Sequence, residues 1–163
     1  MKERVDLGAI PFFITLLFIA VYLGAMWMAY SAGNMTAVWI IGAVLMVQCL
    51  LGLCFSPMSI SVDEGEVCIC ASFYIKSIPL GQVESVELFR ESRHEAMGKR
   101  AYCFSGGFMG FWGPSRRKGL GEYYSAYGKL EDRFLLSMKD GRKYLLGCRN
   151  AAQMVVYIEE RIR

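Results

Sequence analysis

From Leu7 to Val62 the chain contains no Asp, Glu, Lys, Arg or His. One bilayer-spanning helix takes roughly 20 residues, so a run of this length predicts two spans. Ala9 to Tyr30 (AIPFFITLLFIAVYLGAMWMAY) reads as the first, with Pro11 in the first turn, where a helix needs no backbone donor. SAGNMT, residues 31 to 36, is the only polar stretch. Ala37 to Phe55 (AVWIIGAVLMVQCLLGLCF) is the second helix, ended by Ser56-Pro57. Trp27, Tyr30 and Trp39 fall beside the turn, where an interfacial aromatic belt belongs. A cleaved signal peptide is the weaker reading. The apolar core is longer than the usual stretch of about 7–15 residues, and a second apolar segment follows at once.

Lys2 and Arg4 precede the first helix and the turn carries no basic residue. The expected topology therefore puts the turn outside, with both chain ends in the cytoplasm and two spans through the inner membrane. Asn34-Met35-Thr36 matches a glycosylation acceptor, but a turn tight against the membrane makes the match a chance one. Ala25, Ala29 and Gly33 are spaced four apart, which lets helices approach closely within the hairpin or between copies.

The chain divides into an anchor, residues 1–57, and a head, residues 58–163. The head holds 16 of the 18 Lys and Arg and 13 of the 15 Asp and Glu, the others being Lys2, Arg4, Glu3 and Asp6. That balance gives no case for a nucleic-acid partner. The six cysteines include no CxxC pair, so neither a zinc site nor any other metal or cofactor is expected; reduced, mostly buried thiols are.

In the head, apolar residues alternate in short runs broken by turn residues. Strands are expected at 58–62, 66–72, 73–78 (Pro79 marking an edge), 83–89 with Val86 and Leu88 inward, and 122–127. Arg133–Lys139 and Arg142–Cys148 form a hairpin across Asp140-Gly141. RESRHEAMGKR, residues 90–100, reads as a charged loop. A final helix begins at Asn150, a good N-cap with Gln153 at capping-box spacing, and carries an apolar stripe of Ala151, Met154, Val155, Ile158 and Ile162. The fold class is a two-helix transmembrane hairpin followed by an α+β domain. That domain is an antiparallel curved sheet or partial barrel of about seven strands, capped by a C-terminal helix.

Residues 58–163 resemble the bacterial pleckstrin-homology-like (PH-like) domains. The resemblance is carried by Ile78-Pro79-Leu80-Gly81-Gln82-Val83-Glu84-Ser85-Val86, by Gly106 to Gly113 followed by Leu120-Gly121, and by the Asp140-Gly141 hairpin with the last helix. It implies a binding or scaffolding module, commonly oligomeric and without catalysis. Eukaryotic relatives of the fold hold inositol phosphates with basic residues in the first hairpin. Here that turn reads Asp63-Glu64-Gly65-Glu66, which would repel phosphate, so the property is not carried over.

The run FSGGFMGFWGPSRRKGLG, residues 104–121, is the candidate site. A phosphate-gripping loop needs GxxxxGK[ST] before a helix; Lys118 is followed by Gly119, so no nucleotide is expected. One reading is structural, with Gly106, Gly107, Gly110, Gly113, Gly119 and Gly121 permitting turns. A sharper one sends Phe108, Phe111 and Trp112 into the membrane interface or a neighbouring subunit. Arg116, Arg117 and Lys118 would then meet anionic headgroups, at about 1 kcal/mol each. The only histidine, His94, lies in the charged loop near Glu91 and Glu95, and no catalytic motif occurs, so no catalytic residue is expected. Membrane lipid and either a second copy or another membrane protein are the expected partners.

Overall fold

The computed structural model describes residues 1–63, 65–90 and 100–162. The charged segment with Glu91, His94 and Glu95 therefore lies outside the described residues, as does Glu64 of the first turn. A short strand, β1 (Lys2–Arg4), precedes helices α1 (Ala9–Ser31) and α2 (Met35–Phe55). Both helices are long and apolar enough to cross a bilayer, with mean hydropathies of 2.3 and 2.4. Phe12, Phe13, Leu17, Val21 and Leu23 are exposed along α1, an apolar surface that lipid tolerates and water does not. Helix α2 starts two residues earlier than the composition suggests because Asn34 caps it: its side-chain oxygen accepts from the Ala37 amide at 3.1 Å. Asn34 thus has a local structural role. Ala25 and Ala29 are partly covered, whereas Gly33 is exposed in the turn.

The remaining chain forms two sheets. The first runs β1-β2-β3-β4, with β2 (Pro57–Asp63), β3 (Glu66–Ala71) and β4 (Ile75–Pro79). The second runs β5-β9-β10-β8-β7-β6, built from β5 (Val83–Leu88), β6 (Arg100–Cys103), β7 (Phe111–Arg117), β8 (Gly121–Tyr127), β9 (Arg133–Met138) and β10 (Lys143–Gly147). All neighbours are antiparallel except β10 and β8, which run parallel with Tyr144 beside Tyr124. Helix α3 (Ala151–Ile162) packs on β5, β9 and the 3-10 turn Leu80–Gln82.

Ten strands are described, in two sheets of four and six that do not close into a barrel, where about seven in one curved sheet were expected. The additional strands are β1, β6 and β7. None shows clean alternation: β1 is the charged tripeptide Lys-Glu-Arg, and β7 lies inside the glycine run. Their extended form is imposed by neighbours, as is usual for strands.

The core lies between the sheets and under α3. Ile60, Val62, Val67, Ile69 and Ile78 face Phe134, Leu136, Met138 and Leu146, and Met154 and Ile158 close one end. Each such side chain contributes about 1.5–3 kcal/mol by leaving water. On β5 a bulge between Val83 and Ser85 puts both Val83 and Val86 inside. Leu88 shares the Val86 face, as expected, but is 38 % exposed at the strand end. The Asp140-Gly141 turn and the stripe of α3 match the expectation, with Ala151, Met154, Val155 and Ile158 buried.

Strand β1 changes how anchor and head are connected. Lys2, Glu3 and Arg4 pair with Ser61, Ile60 and Ser59 of β2, so the chain leaves the first sheet, makes the helical hairpin and returns to the neighbouring strand. A division at residue 57 separates β1 from its partner.

Candidate functional site

The glycine run is the joint between hairpin and head. Residues 104–110 fold as consecutive turns against the head-proximal ends of α1 and α2. Ser105 organises them: its hydroxyl donates to the Gly110 carbonyl at 2.9 Å and accepts the Trp112 amide at 3.2 Å. Met109 takes a left-handed backbone, φ 52°, and both its peptide groups are held by the helices. Its amide donates to Thr15 Oγ1 at 2.8 Å, and its carbonyl accepts from Ser56 Oγ at 2.6 Å. Thr15 in turn donates to the Pro11 carbonyl at 2.7 Å. Satisfied backbone groups are what irregular chain needs beside apolar helices.

The aromatics complete the joint. Phe108, at 2 % exposure, meets Phe18 edge-on at 6.1 Å, and Trp112, at 6 %, stacks on Phe55 at 5.8 Å while its Nε1 donates to the Phe108 carbonyl. Phe111 points to the opposite face of the second sheet and packs on Tyr127 at 5.1 Å. All three are covered by this chain, which leaves them no free surface for lipid or a neighbouring subunit. All six glycines, Gly106, Gly107, Gly110, Gly113, Gly119 and Gly121, have positive φ. Gly107 also needs its missing side chain: a Cβ there would lie 2.9 Å from Ile14 Cδ1 and 3.0 Å from Phe111 Cε1.

The basic triplet is not one patch. Successive strand residues point to opposite faces. Arg116 is exposed on one side of β7, Arg117 is buried on the other with its guanidinium 5.3 Å from the Phe89 ring, and Lys118 is exposed past the strand end.

A second tie runs through the segment before α1. Asp6 accepts from Arg149 at 3.1 Å and from Lys129 at 3.1 Å, and these bonds hold its carboxyl below the usual range. The Arg149 amide donates to the Arg4 carbonyl at 3.0 Å, and the Asn150 side chain reaches Glu3 at 3.1 Å. Gly128 presses so closely on this segment that a Cβ would lie 2.1 Å from the Asp6 carbonyl.

A groove of about 650 Å³ opens on the inner face of β10, β8, β7 and β6, beside the edge strand β4. That volume falls within the range of small-molecule sites. Tyr102, Tyr124 and Tyr144 supply aromatic wall, while Tyr123 packs on the opposite face with Phe111 and Tyr127. Lys76, Arg116 and Arg142 supply cations, against the carboxylate of Glu122 among the described lining residues; Lys143 turns to the other face of β10, where its ammonium donates to the Leu120 carbonyl at 3.2 Å. The Lys76 ammonium lies 3.6 Å from the Tyr124 ring centre and 5.1 Å from that of Tyr144. Burial, and then the Arg142 charge, push the Lys76 pKa down; burial pushes Tyr124 up. Arg142 is held by Asp140 at 2.6 Å. Sequence reading selected Arg116 but missed Lys76 and the tyrosines. Their only signal is position on strands whose pairing brings them together.

Cys49, Cys54, Cys68, Cys70, Cys103 and Cys148 are free thiols, Cys148 buried and the others half-buried. Among the described residues no three His, Cys, Asp or Glu side chains gather as a metal site. No protein-family model, curated protein or solved structure matches the chain.

Proposed function

We propose that this protein is a membrane-anchored binding module. Its hairpin crosses the inner membrane twice, the head and both chain ends lie in the cytoplasm, and the head works as a PH-like scaffold without catalysis. Its partner is a second copy or another membrane protein. The observation that carries this reading is the Met109 joint: both peptide groups of one loop residue are bonded to two span-length helices. A head attached in that way does not swing on a tether. It presents fixed faces to whatever shares the plane of the membrane.

Phe73 marks such a face. It is 85 % exposed in the β3–β4 turn, next to Tyr74, whose ring lies 5.7 Å from Phe55 at the end of α2. An exposed aromatic beside the anchor suits a lateral contact. A photocrosslinking residue at position 73 of the full-length protein, activated in native membranes that resist alkaline carbonate extraction, tests the proposal. Capture of a second copy or one defined membrane protein is expected. Extraction of the chain by carbonate rejects the anchor, and adducts with lipid alone reject the protein partner. The alternative, headgroup recognition through residues 104–121, loses Phe108, Phe111, Trp112 and Arg117 to the interior and keeps Arg116 and Lys118.

A further inference from the structure

We propose that the groove beside β4 binds the phosphate headgroup of an anionic membrane lipid, with Lys76 and Arg116 as its principal cations. The inference rests on the membrane reading above and adds a ligand to it. Three observations converge.

The first is chemical. Lys76, Arg116 and Arg142 gather at a wall of tyrosines with Glu122, and Asp140 pairs with Arg142 from the turn, which leaves Lys76 and Arg116 as the cations for a ligand. Lys76 is partly buried on the rings of Tyr124 and Tyr144 rather than extended into solvent. Its burial beside Arg142 already disfavours the ammonium, a cost that a bound anion offsets. Aromatic wall with a few convergent charges is the usual make-up of a ligand pocket.

The second is position. Trp112, Ala126 and Leu146 form one row across β7, β8 and β10; Pro114, Tyr124 and Tyr144 form a parallel row two residues away. At about 3.3 Å per residue these rows are about 7 Å apart. Trp112 stacks on Phe55, the last residue of α2, and Lys76 lies over the Tyr124 row. The headgroup layer on each side of a bilayer is about 5–8 Å thick. The Tyr124 row that carries Lys76 thus lies within about one headgroup thickness of the row that touches the end of α2.

The third is the rim. Ile75, next to Lys76 on β4, and Phe104, which packs on Trp112 at 5.6 Å, are exposed apolar residues. They offer acyl chains an apolar rim while the phosphate lies over the cations. A soluble phosphate would use only the lower part of this arrangement.

The test is native mass spectrometry of the full-length protein, released from nanodiscs of phosphatidylglycerol or phosphatidylcholine. Retention of phosphatidylglycerol over phosphatidylcholine is expected. Lys76→Gln with Arg116→Gln should weaken that retention about 30-fold, the loss of two contributions of about 1 kcal/mol each. Lys118→Gln, outside the groove, should leave it unchanged. Thermal melting of each variant checks that the fold is kept. Added glycerol phosphate should not displace the lipid; displacement assigns the groove to a free phosphate and overturns the lipid. Equal retention of both lipids, an unchanged double variant, or two chains without bound lipid likewise overturns it. Carbonate extraction of the same membranes separately reports on the anchor, so failure of the groove and failure of the membrane reading are told apart.

Discussion

Thr15, in the second turn of α1, accepts the backbone amide of Met109 at 2.8 Å across 94 positions of sequence. Thr15→Val keeps the shape of the side chain but removes the acceptor. A half-buried amide left without its bond costs about 1–3 kcal/mol. The detergent-solubilised protein should melt at a lower temperature by that amount, and Thr15→Ser should recover most of the loss. Equal melting of the valine variant would show that the bond does not fasten the joint.

Two glycines of α2 should respond oppositely to alanine. At Gly52 a Cβ would lie 2.7 Å from Met109 Sδ and 2.8 Å from Phe108 Cε1, inside the packed joint. At Gly42 the nearest atom is Met26 Cε, at an ordinary 3.6 Å. Alanine is the better helix former by about 1 kcal/mol, whereas overpacking costs about 1–3 kcal/mol. Gly42→Ala should raise the melting temperature slightly and Gly52→Ala should lower it. Protease accessibility of residues 104–110 should rise only in the second.

Acid should loosen the segment before α1. Bonds from Arg149 first and Lys129 next lower the Asp6 pKa, so the folded state keeps the carboxylate more strongly than the unfolded chain, whose value is near 3.8. The stabilisation is therefore full above that value and disappears as pH falls through the lower folded value. For partly exposed pairs it amounts to about 0.2–1 kcal/mol. Wild type and Asp6→Asn should differ in stability at pH 6 and converge towards pH 3. A difference that stayed constant over this range would rule out the carboxylate as its source.

Cys148 should resist thiol reagents. Burial pushes its pKa up to about 12, against 9 for a free thiol. At neutral pH the nucleophilic thiolate is thus absent and the sulfur is covered. The sign of the linkage is also fixed: the unfolded thiol loses its proton first, so this group's contribution to stability falls as pH rises from 9 towards 12. Mass mapping after brief alkylation of the folded protein should find Cys148 unmodified until denaturant is added.

The helices, the Asp140-Gly141 hairpin and the stripe of α3 were legible because each is written in local pattern. Continuous apolarity, a turn pair and a helical period need no knowledge of distant residues. Strand β1 was illegible for the converse reason: Lys-Glu-Arg has no strand signature, and Ser59, Ile60 and Ser61 make it one. The run from Phe104 to Gly121 was recognised as special, but its purpose was not. Burial of Phe108 and Trp112 depends on Phe18 and Phe55, which are remote in sequence. The basic triplet misled because three neighbours in sequence alternate sides once β7 forms. Lys76 and Tyr124 could be joined only by knowing that the two sheets bring their strands together.

Because β1 and β2 are partners with the hairpin between them, the first sheet cannot complete its edge on the ribosome until some fifty intervening residues have been made. The Lys-Glu-Arg tripeptide must wait unpaired until both apolar helices have been made, and on the membrane reading proposed above the head then completes its first sheet only after the hairpin is available for insertion. Trimming the chain at residue 57 to obtain a water-soluble head would discard an edge strand. A graft joining Val5 to Pro57 through a tight turn keeps it.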